Sequence, residues 1–373
     1  MRTFLVFAIL AFSFSFNAFA LNAEVKGFLA LDLLRVSKVK NRSQSVETGI
    51  GVLDLKIYGN QDNIFARFKL DLDDSKLGEP YNIFEEATAT YRFRDNMMIT
   101  AGKGVVPFHR LHWGVIENTY IDGGSVIGTE NSWRDVDQKI ILSFRLGEFK
   151  SGWINHTTFW GESKAVSRDR DGALTYDSND ALTFTNAKTF KTDEERGFAN
   201  KLEFFPNNAL SLSVGAIYYK ADIAPDQSYA FDTGAKYRTS EWELWTEYMY
   251  GVKTTNASDK YATREKAEHF LQFGAEKTVN QLINVLVDIE GIMVKDLRHS
   301  DRGPTGKLRF NDGKTYKTNN AKIESGVKFK ISKAAFVTVG ALFEKQWQKI
   351  DEVDSSKSPL HAYEFATKLS FWF

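Results

Sequence analysis

Hydrophobic and polar residues alternate one by one along most of this chain. Between Ile64 and Asp73, apolar residues occupy all the even-numbered positions, and Arg67, Lys69 and Asp71 fall between them. A β-strand sends successive side chains to opposite faces, whereas an α-helix would scatter these charges around its circumference. The pattern therefore predicts a strand with one apolar and one charged face.

The same alternation recurs along the chain and predicts about sixteen strands. Their expected ranges are 25–36, 48–58, 64–73, 83–94, 97–106, 136–146, 149–160, 197–205, 209–219, 229–238, 241–252, 267–277, 281–295, 321–331, 335–347 and 361–373. Turns of a few residues alternate with long polar segments, the longest of which is 161–196. An even strand number with this asymmetry predicts an all-β fold, a transmembrane antiparallel β-barrel with long external loops and short periplasmic turns.

Both ends of the sequence carry signals that agree with export. Arg2 precedes an apolar run over 4–16 and the small-residue site Ala18-Phe19-Ala20, which predicts a signal peptide over 1–20 and a mature barrel over 21–373. The last strand alternates up to the terminal Phe373, so we expect this ring to be ordered at the edge of the barrel.

Composition excludes several classes of protein. The chain has 48 basic and 48 acidic residues, and loss of Arg2 with the signal peptide leaves 47 against 48, a net charge of −1. This balance gives no reason to expect a nucleic-acid partner. Cysteine is absent, and after the signal peptide no apolar run is long enough for a spanning helix. The mean hydropathy of −0.34 is compatible with barrel strands, because these are apolar only at alternate positions.

The polar faces of the predicted strands indicate what fills the barrel. Sixteen strands enclose an interior too wide for side chains to fill, and many unpaired charges could not be buried in a dry core. We therefore expect a water-filled lumen. The charged positions predicted to face it are Arg67, Lys69, Asp71, Arg92, Lys139, Arg145, Lys236, Glu243, Glu247, Asp288, Glu290, Lys322, Glu324, Lys328 and Glu364.

Aromatic residues near strand ends are expected to form bands at the two membrane interfaces. The residues assigned to these bands are Tyr58, Tyr91, Phe93, Tyr218, Tyr250, Phe371 and Phe373.

The signal peptide, the alternating strands, the long third loop and the terminal phenylalanine together resemble the trimeric porins of Gram-negative bacteria, over essentially the whole mature chain. The resemblance implies an outer-membrane homotrimer surrounded by lipid, whose C-terminal strand is recognised by the barrel-assembly machinery. It also implies that the third loop, 107–133, folds into the barrel and narrows it. The approach Gly102 to Phe108 resembles that of the phosphate-selective porins, but the sequence lacks a concentrated arginine ladder.

If the third loop narrows the pore, its charges would face the barrel wall. The expected constriction combines the loop residues Arg110, Glu117, Asp122 and Glu130 with the wall residues Lys56, Arg67, Lys69, Arg92 and Lys139. Opposed charges across a narrow aqueous gap create a transverse field that filters ions. The alternative is that 107–133 is a solvated external loop and the wall is merely hydrated.

Catalytic and metal-binding motifs are weak in this sequence. His109 and His112 are three residues apart but have no Cys or carboxylate at ligand spacing, and the acidic run after Asp169 lacks the full spacing of a Ca²⁺ loop. The nucleophile motif Gly-x-Ser-x-Gly is absent. We therefore expect no enzyme activity, no catalytic residues, no metal and no cofactor.

The leading hypothesis is thus a porin through which small hydrophilic solutes and ions diffuse passively. Two alternatives stay open at this point. One is a substrate-specific channel for a sugar or an anion, with Trp245 as an inward aromatic surface. The other is a surface receptor or adhesin that acts through the segments 161–196 and 296–319.

Overall fold

The computed structural model describes residues 22–40, 43–72, 84–108, 138–147, 152–168, 175–176, 182–183, 189–221, 227–256, 263–298, 315–350 and 359–373. The expected signal peptide and residues 109–133 of the expected third loop lie outside these ranges. Among the described residues, none belongs to a helix that is long and apolar enough to cross a membrane.

Eighteen strands make up the described secondary structure. They are β1 (Asn22–Val39), β2 (Ser45–Gln61), β3 (Ile64–Asp71), β4 (Phe84–Arg94), β5 (Met97–Val105), β6 (Gln138–Gly147), β7 (Gly152–Arg168), β8 (Thr175–Tyr176), β9 (Leu182–Thr183), β10 (Thr189–Phe205), β11 (Leu210–Ala221), β12 (Gln227–Arg238), β13 (Trp242–Asn256), β14 (Thr263–Thr278), β15 (Ile283–Arg298), β16 (Thr315–Lys330), β17 (Ala335–Ile350) and β18 (Leu360–Trp372).

Sixteen of these strands form one closed antiparallel barrel, in which each strand pairs with its neighbour along the chain and β1 pairs with β18. The short strands β8 and β9 pair only with each other. The prediction of an antiparallel barrel of about sixteen strands is therefore confirmed.

Closure of the barrel depends on the last residue of the chain. The backbone N–H of Gly27 donates to the carbonyl of Phe373 at 2.6 Å, and the N–H of Phe373 donates back to Gly27 at 3.0 Å. The ladder continues from the pair Phe28 and Trp372 toward Val39. Backbone groups at the first and last strands are thus paired within the protein, as hydrocarbon surroundings require.

Apolar side chains cover the outside of the barrel. Along β6, Ile140, Leu142, Phe144 and Leu146 are exposed and Ile141 between them is buried, which shows the alternation between the outer and inner faces. Aromatic rings on the outer face lie near both ends of the strands, including Tyr91, Phe93, Tyr218 and Phe373. Tyr58 is a correction to the expected interface bands: it shares the inner face with Asp54 and Lys56, and its ring contacts Lys26 and Arg67.

A polar trio on the outer face of β7 and β10 satisfies its own hydrogen bonds. The amides of Asn155 and Asn200 donate to each other at 3.2 and 3.1 Å, and Asn200 also donates to the hydroxyl of Thr157 at 2.9 Å. Because an unpaired amide in hydrocarbon is costly, this mutual bonding makes the polar residues compatible with a lipid-facing surface.

The long interruption predicted at 161–196 is largely strand, which is a correction. β7 continues to Arg168 and β10 begins at Thr189, with the two paired along this extension. Above the membrane both faces of a hairpin meet water, so the sequence there need not alternate. The prediction rested on alternation and therefore ended both strands too early.

Candidate pore lining

The charged residues predicted to face the lumen do lie on the inner face. Their neighbours in sequence carry the exposed apolar side chains of the outer face, as Val287 and Ile289 do on either side of Asp288. For Asp71 the strand position is described but the side chain is not. The period-two alternation therefore identified the lining of the barrel correctly.

Three of the expected constriction residues lie together on adjacent strands. Lys56 is directly opposite Lys69 in the β2–β3 ladder, and Arg67 is two residues along the same face. Lys69 forms an ion pair with Asp54 at 3.0 Å, and Arg67 pairs with Glu86 at 2.9 Å. We call Lys56, Arg67, Lys69 and their partners the basic sector; much of its charge is neutralised locally.

The other two expected wall residues do not join this sector. Arg92 stacks its guanidinium over the ring of Phe65, 4.7 Å from the centroid. Lys139 on β6 pairs with Glu195 of β10 at 3.1 Å, and the indole of Trp160 donates to the same carboxylate at 3.1 Å. Lys56, Arg67 and Lys69 therefore form one group, whereas Arg92 and Lys139 lie at other positions on the wall.

The loop side of the expected constriction is described only at its beginning. Arg110, Glu117, Asp122 and Glu130 lie outside the described residues. Val106 and Phe108 precede them, and both are fully buried within the barrel. The N–H of Phe108 donates to the carbonyl of Val106 at 2.7 Å, which forms a tight turn around Pro107.

An apolar band on the inner wall receives these first loop residues. It crosses from β6 to β15 and consists of Ile141, Trp160, Ala199, Ile217, Tyr219, Ala230, Met249, Phe270, Ile292 and Val294. Val106 and Phe108 belong to the same packed cluster. Burial of this apolar surface holds the start of the third loop against the wall inside the barrel.

Phe108 packs directly against Gly215. A Cβ placed on Gly215 would lie 2.8 Å from the carbonyl oxygen of Phe108 and 3.2 Å from its ring. Contacts this short require a neighbour to move, so the absence of a side chain at position 215 allows the loop to approach β11 closely.

Two rows of mainly acidic side chains lie on the wall formed by β13 to β18. The first row, in ladder register from β13 to β17, is Glu247, Gln272, Glu290, Lys322 and Glu344. The second row, from β14 to β18, is Gly274, Asp288, Glu324, Leu342 and Glu364. We call these the acidic rows. They contain six carboxylates and one lysine.

Hydrogen bonds connect the acidic rows to each other. The amide nitrogen of Gln272 lies 3.0 Å from both carboxylate oxygens of Asp288 and 3.4 Å from Glu290. Lys322 pairs with Glu290 at 2.8 Å, and Arg35 of β1 pairs with Glu364 at 2.9 Å. Gln272 thus links the two rows where Asp288 and Glu290 lie.

The sequence analysis placed five of the six acidic residues, such as Asp288, in the lumen but did not group them as a site. The available signal was the inner-face position of acids on several consecutive predicted strands. Grouping them needed the register between strands, which places the acids in two rows. In the closed order of strands, β13 is eight steps from β3 in either direction, so the acidic rows begin directly across the lumen from the basic sector.

Trp245 faces inward as expected, but its ring lies flat against the wall. A Cβ on the opposite residue, Gly274, would lie 2.0 Å from the indole ring, and Trp245 packs against Leu286. The side chain is only 7% exposed, so little of the ring is open to a solute.

Within the described ranges, no group of three or more His, Asp or Glu side chains is arranged to hold a metal ion.

Comparisons by sequence find neither a matching protein-family model nor a matching curated protein. Solved structures are similar over nearly the whole chain. They include OmpT, an outer membrane protein of Vibrio cholerae, in its trimer form (TM-score 0.56, 10% identity, covering 95% of this chain and 99% of that one). They also include the anion-selective porin from Comamonas acidovorans (TM-score 0.58, 13% identity, covering 94% and 100%) and Salmonella typhi OmpF in complex with daunomycin (TM-score 0.55, 13% identity, covering 94% and 97%). The chain thus has the fold of the sixteen-stranded porins.

Proposed function

We propose that this protein is an outer-membrane porin, a water-filled channel through which small hydrophilic solutes and ions diffuse passively. The observation that carries the proposal is the opposite chemistry of the two faces of one closed barrel. The outer face is mainly apolar, and the inner face carries charges at many of the intervening positions. A wall of this kind separates hydrocarbon from water.

The size of the barrel supports an open channel. Barrels of about sixteen strands are wide enough to leave an aqueous passage after their inner side chains are placed. Inner-face ion pairs such as Lys69 with Asp54 and Lys322 with Glu290 are also compatible with hydrated surroundings. Diffusion through such a passage requires neither a catalytic group nor a cofactor.

The outer-membrane location is supported by the neighbours as well as by the exterior. The Vibrio cholerae neighbour is described as an outer membrane protein, and the Comamonas neighbour as a porin. A channel whose long loops face the outside and whose short turns face the periplasm agrees with both descriptions.

We further propose that three copies associate through the wall formed by β3 to β6. Within the described residues these strands have 8, 11, 9 and 10 residues, whereas β13 to β17 have 15 or 16. On its outer face Ala66, Ala89 and Ala101 lie in one register row. Small side chains let a neighbouring barrel approach closely. One structural neighbour was solved in a trimer form.

Planar-bilayer recording of the purified, folded protein tests the channel directly. The expected result is stepwise conductance that rises with the salt concentration of the bath, and steps that occur in groups of three if trimers insert. Protein that is folded, as judged by its heat-modifiable mobility in gels, but never conducts at any voltage would disprove the proposed function.

The trimer is tested separately by size measurement in detergent. Ala89→Trp should yield monomers because the indole would prevent close approach of the barrels, whereas Thr233→Trp on the outer face of β12 should remain trimeric. Monomers for the unsubstituted protein, or trimers for both variants, would contradict this interface.

A further inference from the structure

The acidic rows give the lumen an uneven charge. Their carboxylates are Glu247, Asp288, Glu290, Glu324, Glu344 and Glu364, and Lys322 is the one basic side chain within the rows. Arg35 approaches from β1 and pairs with Glu364. With Arg35 included, the residues named here comprise six carboxylates and two cationic side chains. Lys328 and Lys368 lie on the same inner face further along β16 and β18.

Two of the three cations of the basic sector are paired with carboxylates of the same sector, so the sector offsets only part of this excess. Lys69 and Arg67 are each paired with a carboxylate of their own sector, Asp54 and Glu86. Lys139, elsewhere on the wall, is paired with Glu195. Each of these pairs is close to neutral at a distance, since opposite charges a few ångströms apart cancel beyond the Debye length of about 8 Å at physiological salt.

Two asparagines extend the acidic rows in both directions along the pore. Asn320 on β16 donates its amide N–H to Glu344, and Asn284 on β15 donates to Glu276. A carboxylate only accepts hydrogen bonds, so the amide nitrogens must face the carboxylates and the amide oxygens must point away. Both oxygens lack a hydrogen-bond partner among the described residues, and the side chains are 5% and 8% exposed.

Both amide oxygens are enclosed by protein, so the two asparagines hold the neighbouring carboxylates rather than meet a solute. The carboxylates of the two rows act on a cation through their field, because a row of carboxylates lowers the electrostatic energy of a cation along the path.

We propose that this path makes the channel prefer cations, and that the acidic rows on the wall determine the preference. The solutes concerned are hydrated alkali-metal ions and small organic ammonium compounds. The inference rests on the proposed channel function and adds its substrate class.

Reversal-potential measurement in a KCl gradient across a planar bilayer is the test. The unsubstituted channel should show the sign of a cation-preferring pore. The double variant Asp288→Asn with Glu324→Gln should lower the ratio of cation to anion permeability by about twofold or more, because charged rings of this type set pore selectivity. Lys322→Gln should raise the ratio.

The control is Glu241→Gln, which removes one negative charge, against two in the double variant, from an exposed turn between β12 and β13 and should leave the ratio unchanged. An anion-preferring or non-selective unsubstituted channel overturns the inference without requiring any variant to fold. A folded double variant with an unchanged ratio also overturns it. Absence of conductance, in contrast, would contradict the proposed channel itself.

Discussion

Glycines that face aromatic rings hold several strand pairs together. In each case the glycine lies directly opposite the ring, or one residue from that position, and a Cβ would overlap the ring. The pairs are Gly27 with Phe373, Gly197 with Trp160 and Gly274 with Trp245. A ring that covers an opposing glycine shields its backbone and adds apolar contact that the glycine cannot supply.

The pair of Gly27 and Phe373 gives the clearest test, because it lies where the barrel closes. A Cβ at Gly27 would lie 2.1 Å from the Phe373 ring, so Gly27→Val should displace the terminal residue and cost about 1–3 kcal/mol or more in stability. Gly291→Val is the matched control, since a Cβ there meets no atom within 4 Å. The measurement is the temperature at which the heat-modifiable gel mobility is lost. Equal temperatures for the two variants would refute the role assigned to Phe373.

The contact between Gly215 and Phe108 leads to a second prediction, which concerns the position of the third loop. Gly215→Val should push Phe108 away from the wall, and Phe108→Ala should remove the side chain that holds the loop, at a cost of about 3–5 kcal/mol if the cavity stays empty. Both variants should remain folded barrels but change the single-channel conductance.

The control for these loop variants is again Gly291→Val, which should conduct like the unsubstituted protein. If Gly215→Val and Phe108→Ala also conduct normally, with the same noise and the same voltage response, the packing of Phe108 against β11 has no influence on the pore.

Contacts between residues far apart in the chain, such as Phe108 with Gly215, could not be predicted from the sequence. Alternation places Gly215 and Met249 on the inner face, but nothing in the local pattern indicates that Phe108 crosses from β5 to meet β11. The sequence did predict an inward third loop, although only through its resemblance to known porins. The described residues place the first part of that loop inside the barrel.

Strands in this barrel are longer than the membrane requires. A crossing strand needs about 9–11 residues, whereas β7 and β10 each have 17. Their outer halves, paired from Arg168 and Thr189 downward, form a ribbon beyond the membrane. The membrane-spanning parts are Gly152 to Trp160 and Gly197 to Phe205, which are the parts that the alternation predicted.

Removal of this ribbon should therefore leave the barrel intact. Replacing residues 165–192 by a short turn joins Lys164 to Asp193, which are already paired. The backbone hydrogen bonds within the membrane and the closure between β1 and β18 are then undisturbed. The variant should keep its heat-modifiable mobility and its conductance. Loss of folding would show that the ribbon contributes to the barrel, and a partner that binds only the full-length protein would favour the receptor alternative.

A bulge in β1 explains why a strict period of two does not describe this strand. In β1 the ladder register shifts after Asp32, so Leu33 and Leu34 are both exposed and Arg35 returns to the inner face. A strict period of two would have placed Asp32 and Arg35 on opposite faces. Instead they lie 3.7 Å apart, and Arg35 reaches Glu364. Bulges depend on both strands of a pair, so one strand's sequence does not reveal them.

At the scale of the whole molecule, the alternation of chemistry between neighbouring residues determines the architecture. An apolar residue facing out and a polar residue facing in require a closed sheet, and about sixteen strands make that sheet wide enough for water. The sequence predicted this architecture because every strand repeats the same rule. The acidic rows were not predicted as a group, because they depend on register across five strands.

The central claim is that the lumen is filled with water, and the most direct measurement is the water accessibility of neighbouring residues along a strand. Strands β4 and β6 each provide one inner and one outer position. The chain contains no cysteine, so single cysteines can be introduced without removing others. Thr90→Cys and Ser143→Cys lie on the inner face, and Ala89→Cys and Leu142→Cys are their outer-face neighbours. In liposomes, a membrane-impermeant charged thiol reagent should modify the inner pair rapidly and the outer pair hardly at all. Protection of all four positions, or faster reaction at the outer pair, would contradict a water-filled lumen.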